Sequence, residues 1–275
     1  MASGLTQIAN IDWHAPWLQA WREVGAPLSL EVAQGVPVFQ ACSQAGKALT
    51  ASKSQPVCPV NFVAQSELPE GQAYEQFIHD TQRVPTRDGL HDFFNALCWL
   101  HFPLAKKQLN LVQATAIQAQ GVGAVRGPVR DAVTVFDENA CLIQLPDLIW
   151  DALQARQWYA AFVTYRSVWQ EAQIQIFGHA ALEKLVNPYK AITVHLWRVP
   201  QDVPLDQWDA WLAQDLTETK LSQKPFSPLP MLGLPGWWPD NENPSFYADP
   251  TVFRPKRRAS AEEKPHANQD FKALS

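Results

Sequence analysis

The most regular pattern of hydrophobic and polar positions lies between residues 84 and 110. Mostly apolar side chains recur there at i, i+3, i+4, i+7, i+8 and i+11, namely Leu90, Phe93, Phe94, Leu97, Cys98 and His101. This spacing predicts a helix with one face turned toward a core. Pro103 ends the pattern and favours the first turn of a second helix from Leu104 onward.

A row of polar side chains repeats the helical spacing on the neighbouring face: Asp88, His91, Asp92 and Asn95. Asp88 is the predicted N-cap of the helix. Such a row is usually the solvated face of an amphipathic helix. This one lacks the Lys and Glu that dominate solvated faces, and Asp and Asn disfavour helix interiors. The row is therefore a candidate functional site, with a solvated face as the alternative.

A second informative stretch is EAQIQIFGHAALEKLVNPYKAITVHLW. Its pattern predicts strands at residues 172–177 and 191–197, with a helix at 179–186 between them. His179 and Glu183 are four residues apart and share a face of that helix. Such a pair can supply a metal ligand and a carboxylate, or a base and the group that orients it. More often it is only a structural hydrogen bond.

Other patterns predict further strands and helices. The stretch RDAVTVFDENACLIQL predicts a β-hairpin, with strands at 132–136 and 141–145 around a turn at 137–140. Further elements are expected at 60–64 (strand) and at 70–81, 147–157 and 205–216 (helices).

The C-terminal part changes character. Residues 225–255 are rich in proline and carry many aromatic side chains, whose exposure is costly, so we expect a belt wrapped over the body. From residue 256 the charged sequence predicts a disordered tail. The fold class predicted is α+β: a mainly helical single domain over residues 1–255, with a small mixed or antiparallel sheet and a Pro/Trp-rich C-terminal wrap.

Composition narrows the class of protein. There are 22 Lys and Arg against 27 Asp and Glu, a net charge of -5, so no global basic field indicates nucleic acid, although a local patch stays possible. Neither a signal peptide nor a membrane-spanning stretch is predicted, which favours a cytoplasmic protein. The four cysteines form no paired motif and are expected to be reduced, mostly buried thiols.

Three segments together resemble the bacterial family of domains of unknown function numbered 3025. They are PTRDGLHDFFNALCWLHFP, then RDAVTVFDENACL with FGHAALEKLVNPYKAITVH, and LPGWWPDNENPSFYADPTVFRP. The resemblance spans roughly residues 30–255. It implies a single cytoplasmic bacterial domain and assigns no activity, cofactor or catalytic residue.

The first functional hypothesis is a metal-dependent hydrolase, acting for example on phosphoesters. The candidate metal ligands are Asp88, His91, Asp92, His179 and Asp131, and the candidate catalytic residues are His91, Asp92, His179, Glu183 and Arg87. Oxygen and imidazole ligands suit Mn, Mg or Zn, which activate a bound water, while Arg87 or Arg130 would stabilise developing negative charge. The hypothesis requires two helix starts, nearly ninety residues apart, to meet.

Two alternatives remain open. In the first, the protein is a non-catalytic binding or scaffold protein whose polar network is structural and whose aromatic residues shape a groove for a partner. In the second, His91 or His179 performs metal-free acid–base catalysis in a pocket.

Overall fold

Proline and glycine divide the chain into short helices and strands. The computed structural model describes residues 4–52, 57–120 and 127–256. The helices there are α1 (Gly4–Ala9), α2 (Arg22–Ala33), α3 (Val38–Ser52), α4 (Tyr74–Thr81), α5 (Leu90–His101), α6 (Pro103–Gln120), α7 (Pro128–Asn139), α8 (Asp147–Gln154), α9 (His179–Leu185), α10 (Trp208–Asp215) and α11 (Glu218–Ser222). The strands are β1 (Asn61–Ala64), β2 (Arg83–Thr86), β3 (Ala140–Gln144), β4 (Gln173–Ile176), β5 (Thr193–Arg198) and β6 (Ser227–Pro230).

The larger sheet is mixed and has the strand order β4-β3-β5-β6. Strand β3 runs antiparallel to β4 and parallel to β5, and β5 runs antiparallel to β6. Strands β1 and β2 form a separate parallel pair. Strand β3 is apolar and buried along almost its whole length, as expected of a central strand that is covered on both faces. The predicted α+β class, mainly helical with a small mixed sheet, is confirmed.

The helix predicted from the first pattern is α5, and it is buried on nearly all sides. Its buried residues include the polar Asp92 and Asn95 as well as the apolar stripe. The break at Pro103 is also confirmed, since α6 begins there. The start of α6 is capped from α10, because the Asp209 carboxylate accepts hydrogen bonds from the backbone N–H groups of Leu104 and Ala105.

The predicted hairpin is wrong in its first strand. Residues 132–136 belong to the helix α7, with Pro128 in its first turn. Ala132, Val133 and Phe136 are buried at i, i+1 and i+4, so the same residues that alternate over five positions also fit the helical period. The second predicted strand is β3, whose partners are β4 and β5.

The predicted N-cap Asp88 is also wrong. Gly89 stands at the N-cap of α5 and has no side chain with which to cap the helix. The Asp88 carboxylate instead accepts a hydrogen bond from the backbone N–H of Val38, at 2.9 Å, and so caps α3. This cap joins residues 50 positions apart, which a local pattern does not show.

The C-terminal belt follows β6 as a series of short 3-10 turns. Phe246, Tyr247 and Phe253 are buried, and the ring N–H of Trp158 donates to the carbonyl of Arg254 at 2.8 Å. The predicted tail lies outside the described residues from position 257 on. The four cysteines are free thiols, three of them buried. No helix in the described ranges is both long and apolar enough to cross a bilayer.

Candidate functional site

A cavity of about 460 Å³ lies where helices from distant parts of the chain meet. Most of its lining comes from α4, α5, α6, α7 and the first residue of α9, and Arg87 and Leu68 line it from the segments between these helices and the strands β1 and β2. Polar and charged side chains in this lining include Tyr74, Glu75, Arg87, His91, Asp92, Asn95, Lys106, Asn110, Arg130, Asp137, Glu138 and His179. A set of this kind, in one concave site, is where binding and proton-transfer chemistry is expected.

Two histidines face each other at this cavity. His91 is the second residue of α5 and His179 is the first residue of α9. Their Nε2 atoms are 3.1 Å apart, and the ring planes are at 77°. The Nδ1 atom of His91 is 2.9 Å from Glu183 Oε2, and the Nδ1 atom of His179 is 3.6 Å from Asp137 Oδ2. Each imidazole thus has its partner at Nε2 and a carboxylate behind it at Nδ1.

Glu183 fixes the tautomer of His91. An ionised carboxylate only accepts hydrogen bonds, so Glu183 favours a proton on the Nδ1 atom of His91, which leaves a lone pair on its Nε2 atom. Asp137 lies beyond hydrogen-bond distance of His179 Nδ1, at 3.6 Å, and acts on that ring through its charge. The 3.1 Å approach of the two Nε2 atoms is explained by a positive group between them, either the Nε2 proton of one imidazole or a metal ion.

The two histidines differ in how readily they take up a proton. The hydrogen bond to Glu183 raises the pKa of His91 above its ordinary value. Burial lowers the pKa of His179 to about 4, against the attraction of Asp137. His91 is therefore the readier proton acceptor of the pair, and His179 becomes charged only in acid.

Asp137, the carboxylate next to His179 Nδ1, belongs to a buried ion pair with Lys106. The Lys106 ammonium is 2.5 Å from Asp137 Oδ1 and 2.8 Å from Asn95 Oδ1, and it lies over the Trp99 ring. Burial alone would raise the pKa of Asp137, but Lys106 and His179 hold it below its usual range. Asp137 therefore stays ionised beside His179.

A hydrogen-bonded chain continues from Lys106 along the cavity wall. Asn95 donates through Nδ2 to the hydroxyl of Tyr74 at 3.2 Å. Burial raises the pKa of Tyr74 well above its usual value, so its side chain remains a neutral phenol. Nearby, Asn110 donates to Glu75 at 2.7 Å, and burial raises the pKa of that carboxyl.

Asp92 is held by a neighbouring guanidinium. The Nε and Nη2 atoms of Arg87 each lie 3.0 Å from one of its oxygens, and the backbone N–H of Arg87 donates to the same carboxylate at 2.6 Å. This bidentate contact occupies both oxygens of Asp92. Both side chains line the cavity, with Asp92 serving to fix Arg87 in place.

Some of the candidate residues are brought together and others are not. His91, His179 and Glu183 meet as described, and Asp92, Arg87 and Arg130 line the cavity. Asp88 and Asp131 are engaged elsewhere, Asp88 as the cap of α3 and Asp131 in an ion pair with Lys224. Within residues 4–52, 57–120 and 127–256, three or more His, Cys, Asp or Glu side chains are nowhere grouped so as to hold a metal ion.

Sequence reasoning missed Asp137, Lys106 and Tyr74. The strand predicted at 132–136 places Asp137 in a turn. A helical interpretation would have placed Arg130, Val133 and Asp137 on one face, at i, i+3 and i+7. For Lys106 there was no signal, because a lysine inside a helix is normally solvated.

Comparison with known proteins identifies a family that matches this chain. The model of a family described as protein of unknown function, DUF3025, matches residues 60–257, which agrees with the resemblance noted in the sequence. The matched range contains every residue that lines the cavity. No curated protein and no solved structure matches the chain.

Proposed function

The chain belongs to the DUF3025 family, and we propose that it is an enzyme that transfers a proton at the His91–His179 pair. The observation that carries this proposal is the 3.1 Å approach of the two Nε2 atoms at a cavity, with a carboxylate behind each ring. A pair that holds one proton between two bases can both accept and donate at the same point, as general acid–base catalysis requires.

The simplest reaction of this kind is the hydrolysis of a small molecule in the cavity. In its deprotonated form the pair takes a proton from a water molecule while the water oxygen bonds to the electrophilic atom of the substrate. The bond to the leaving group then breaks, and the leaving group takes the proton back from the pair. The pair ends in its starting state, and one water has been consumed.

Metal-dependent hydrolysis is the second candidate. Two imidazole Nε2 atoms that converge, each with a carboxylate at Nδ1, also match the way histidines are oriented when they bind a metal ion. They would supply two ligands for zinc, which usually has three or four in proteins. No further protein ligand stands with them in the described ranges, so the metal-free reaction is the first proposal.

The test compares three histidine substitutions. Wild-type protein is assayed with p-nitrophenyl acetate and p-nitrophenyl phosphate, with and without a chelator, and its metal content is measured. His91→Ala and His179→Ala are each expected to lower the hydrolysis rate by about a hundredfold, the size of a general acid–base contribution. His14→Ala changes an exposed histidine outside the cavity and should leave the rate unchanged.

The outcomes separate the candidates. Activity that survives chelation, in protein without metal, supports the metal-free pair. A stoichiometric metal that is lost in His91→Ala, together with loss of activity on chelation, supports the metal enzyme instead. If both histidine variants retain the wild-type rate, or wild type hydrolyses neither ester, the enzyme proposal fails and the scaffold alternative takes its place.

A further inference from the structure

We infer that Tyr74 donates a hydrogen bond to the carbonyl oxygen of the substrate, and that the cavity therefore accepts an uncharged carboxylic ester or amide. This inference rests on the proposed hydrolysis at the His91–His179 pair. It adds a catalytic residue and a class of substrate to that proposal.

The direction of each hydrogen bond along the wall follows from its first member. An ammonium group can only donate, so the oxygen of the Asn95 amide must face Lys106. The nitrogen of that amide then donates to the Tyr74 oxygen. Because the Tyr74 oxygen accepts this bond, its own proton points elsewhere. The part of the chain that the structure describes places no acceptor at that proton, and Tyr74 lines the cavity.

The series of hydrogen bonds from Lys106 through Asn95 makes Tyr74 a stronger hydrogen-bond donor than an isolated phenol. Hydrogen bonds that run in one direction polarise each other, and this one begins at a buried positive charge. A fixed donor is most useful where an oxygen gains negative charge during the reaction. The carbonyl oxygen of an ester or amide does so when water adds to its carbon.

The charges around the cavity disfavour a phosphate. Arg87 is paired with Asp92, and Lys106 is paired with Asp137. The cavity is lined by three basic side chains and four acidic ones, which are Arg87, Lys106, Arg130, Glu75, Asp92, Asp137 and Glu138. Because the lining has no surplus of positive charge, it offers a doubly charged phosphate no net attraction, whereas an uncharged carbonyl compound needs none.

Apolar side chains complete the match with an acyl compound. They belong to the same cavity and are Leu68, Ile78, Leu109, Ile117 and Val133. Burial of a short hydrocarbon chain against them is favourable because it removes apolar surface from water.

The step balances with these groups alone. The water oxygen bonds to the carbonyl carbon, and one water proton goes to the His91–His179 pair. The former carbonyl oxygen becomes an oxyanion that accepts the Tyr74 hydrogen bond. When the carbonyl reforms, the bond to the leaving alcohol or amine breaks, and the leaving atom takes the proton from the pair.

The first experiment removes the phenolic hydroxyl. With p-nitrophenyl acetate and the full chain, Tyr74→Phe is expected to lower kcat by about a hundredfold, the effect of losing one oxyanion donor, while KM changes less than about twofold. Tyr159→Phe makes the same substitution at an exposed tyrosine outside the cavity and should leave both constants unchanged. Thermal unfolding of each variant checks that it is folded.

The second experiment keeps Tyr74 and reverses the hydrogen bond. In Asn95→Asp the new carboxylate accepts only, so the Tyr74 proton turns toward it and away from the substrate. A loss of kcat similar to that of Tyr74→Phe is expected, again with little change in KM.

The results distinguish this inference from the proposed function. If His179→Ala loses activity while Tyr74→Phe keeps the wild-type kcat, the role of Tyr74 is overturned and the proposed function stands. Hydrolysis of p-nitrophenyl phosphate but not of the acetate overturns the substrate class. If neither Tyr74→Phe nor His179→Ala affects hydrolysis, the proposed function itself fails.

Discussion

At the scale of single residues, the burial of His179 makes the free energy of unfolding depend on whether this side chain is protonated. The unfolded chain takes up this proton near the ordinary pKa of 6.5, whereas the folded protein takes it up only at about 4. Between these values the unfolded state binds more protons, so the contribution of His179 to stability falls as the pH falls through this window.

This predicts a difference between wild type and His179→Gln. From pH 7 to pH 5, the free energy of unfolding of wild type should fall by about 2 kcal/mol more than that of the variant. His91 keeps Glu183 as its partner in both proteins, so the difference reports on His179. Urea unfolding at pH 7, 6 and 5 measures it. Equal losses in the two proteins would mean that His179 is not buried as a neutral imidazole.

The sequence could predict some of the site at this scale. His91 and the pair of His179 and Glu183 were identifiable because a helical period puts each on one face, next to an apolar stripe. Asp137 and Lys106 were not, because burial of an ion pair depends on neighbours far away in the sequence. Lys106 and Asp137 are 31 residues apart and both are largely buried.

At the scale of elements, the junction between β4 and α9 places His179. Phe177 and Gly178 both donate to the carbonyl of Ala140 at the start of β3. A Cβ atom on Gly178 would lie 2.5 Å from the backbone N of Asn139 and from the carbonyl oxygen of Glu138. Since both contacts are backbone atoms at the end of α7, only a glycine allows this approach without a shift of the two helices.

Gly178→Ala is therefore expected to destabilise the protein by about 1–3 kcal/mol, the cost of forcing an extra methyl group into a packed site. It should also separate His179 from His91 and lower the hydrolysis rate. Chemical unfolding and the ester assay measure the two effects.

The matched control for this substitution is Gly46→Ala. Gly46 lies inside α3, and its Cβ would come no closer than 3.4 Å, to a leucine methyl group. Alanine is a better helix former than glycine, so this variant should be equally stable or more stable. A Gly178→Ala variant that behaves like Gly46→Ala would show that α7 and α9 do not approach as closely as described.

How well secondary structure could be predicted depended on the length of each periodic stretch. The longest periodic stretch gave α5 and the start of α6, because Pro103 marks the boundary without ambiguity. The five residues of 132–136 are too short to separate a strand from a helix. Their preceding Pro128 was the available signal, since proline is favoured in the first turn of a helix.

At the scale of the whole molecule, the sequence gives the fold class and the family but not the meeting of α5 with α9. His91 and Glu183 are 92 residues apart, and their contact depends on how β3, β4 and α7 pack together. The aromatic belt was predictable as a packed segment, because so many large rings cannot all be exposed. The surface on which it packs was not predictable, since a local pattern does not show which distant residues it contacts.

The end of that belt is anchored by Phe253, which is 3% exposed. Its ring lies 5.2 Å from that of Tyr247 and 6.0 Å from that of Trp158, in edge-to-face arrangements. Removing such a ring leaves a cavity that the neighbouring aromatic side chains cannot fill.

Phe253→Ala is expected to lower the free energy of unfolding by about 3–5 kcal/mol, the usual cost of this substitution in a core. Because Phe253 does not line the cavity at the histidine pair, the ester hydrolysis proposed for that pair should keep its wild-type rate in the folded variant. Leu148→Ala, at a half-exposed leucine, serves as the control and should change stability by less than about 1 kcal/mol. Guanidinium unfolding of the full chain decides the matter. A loss below about 1 kcal/mol for Phe253→Ala would mean that the belt is detached from the body in solution. A large loss of stability with an unchanged hydrolysis rate would show that the belt stabilises the fold without taking part in the chemistry proposed for the histidine pair.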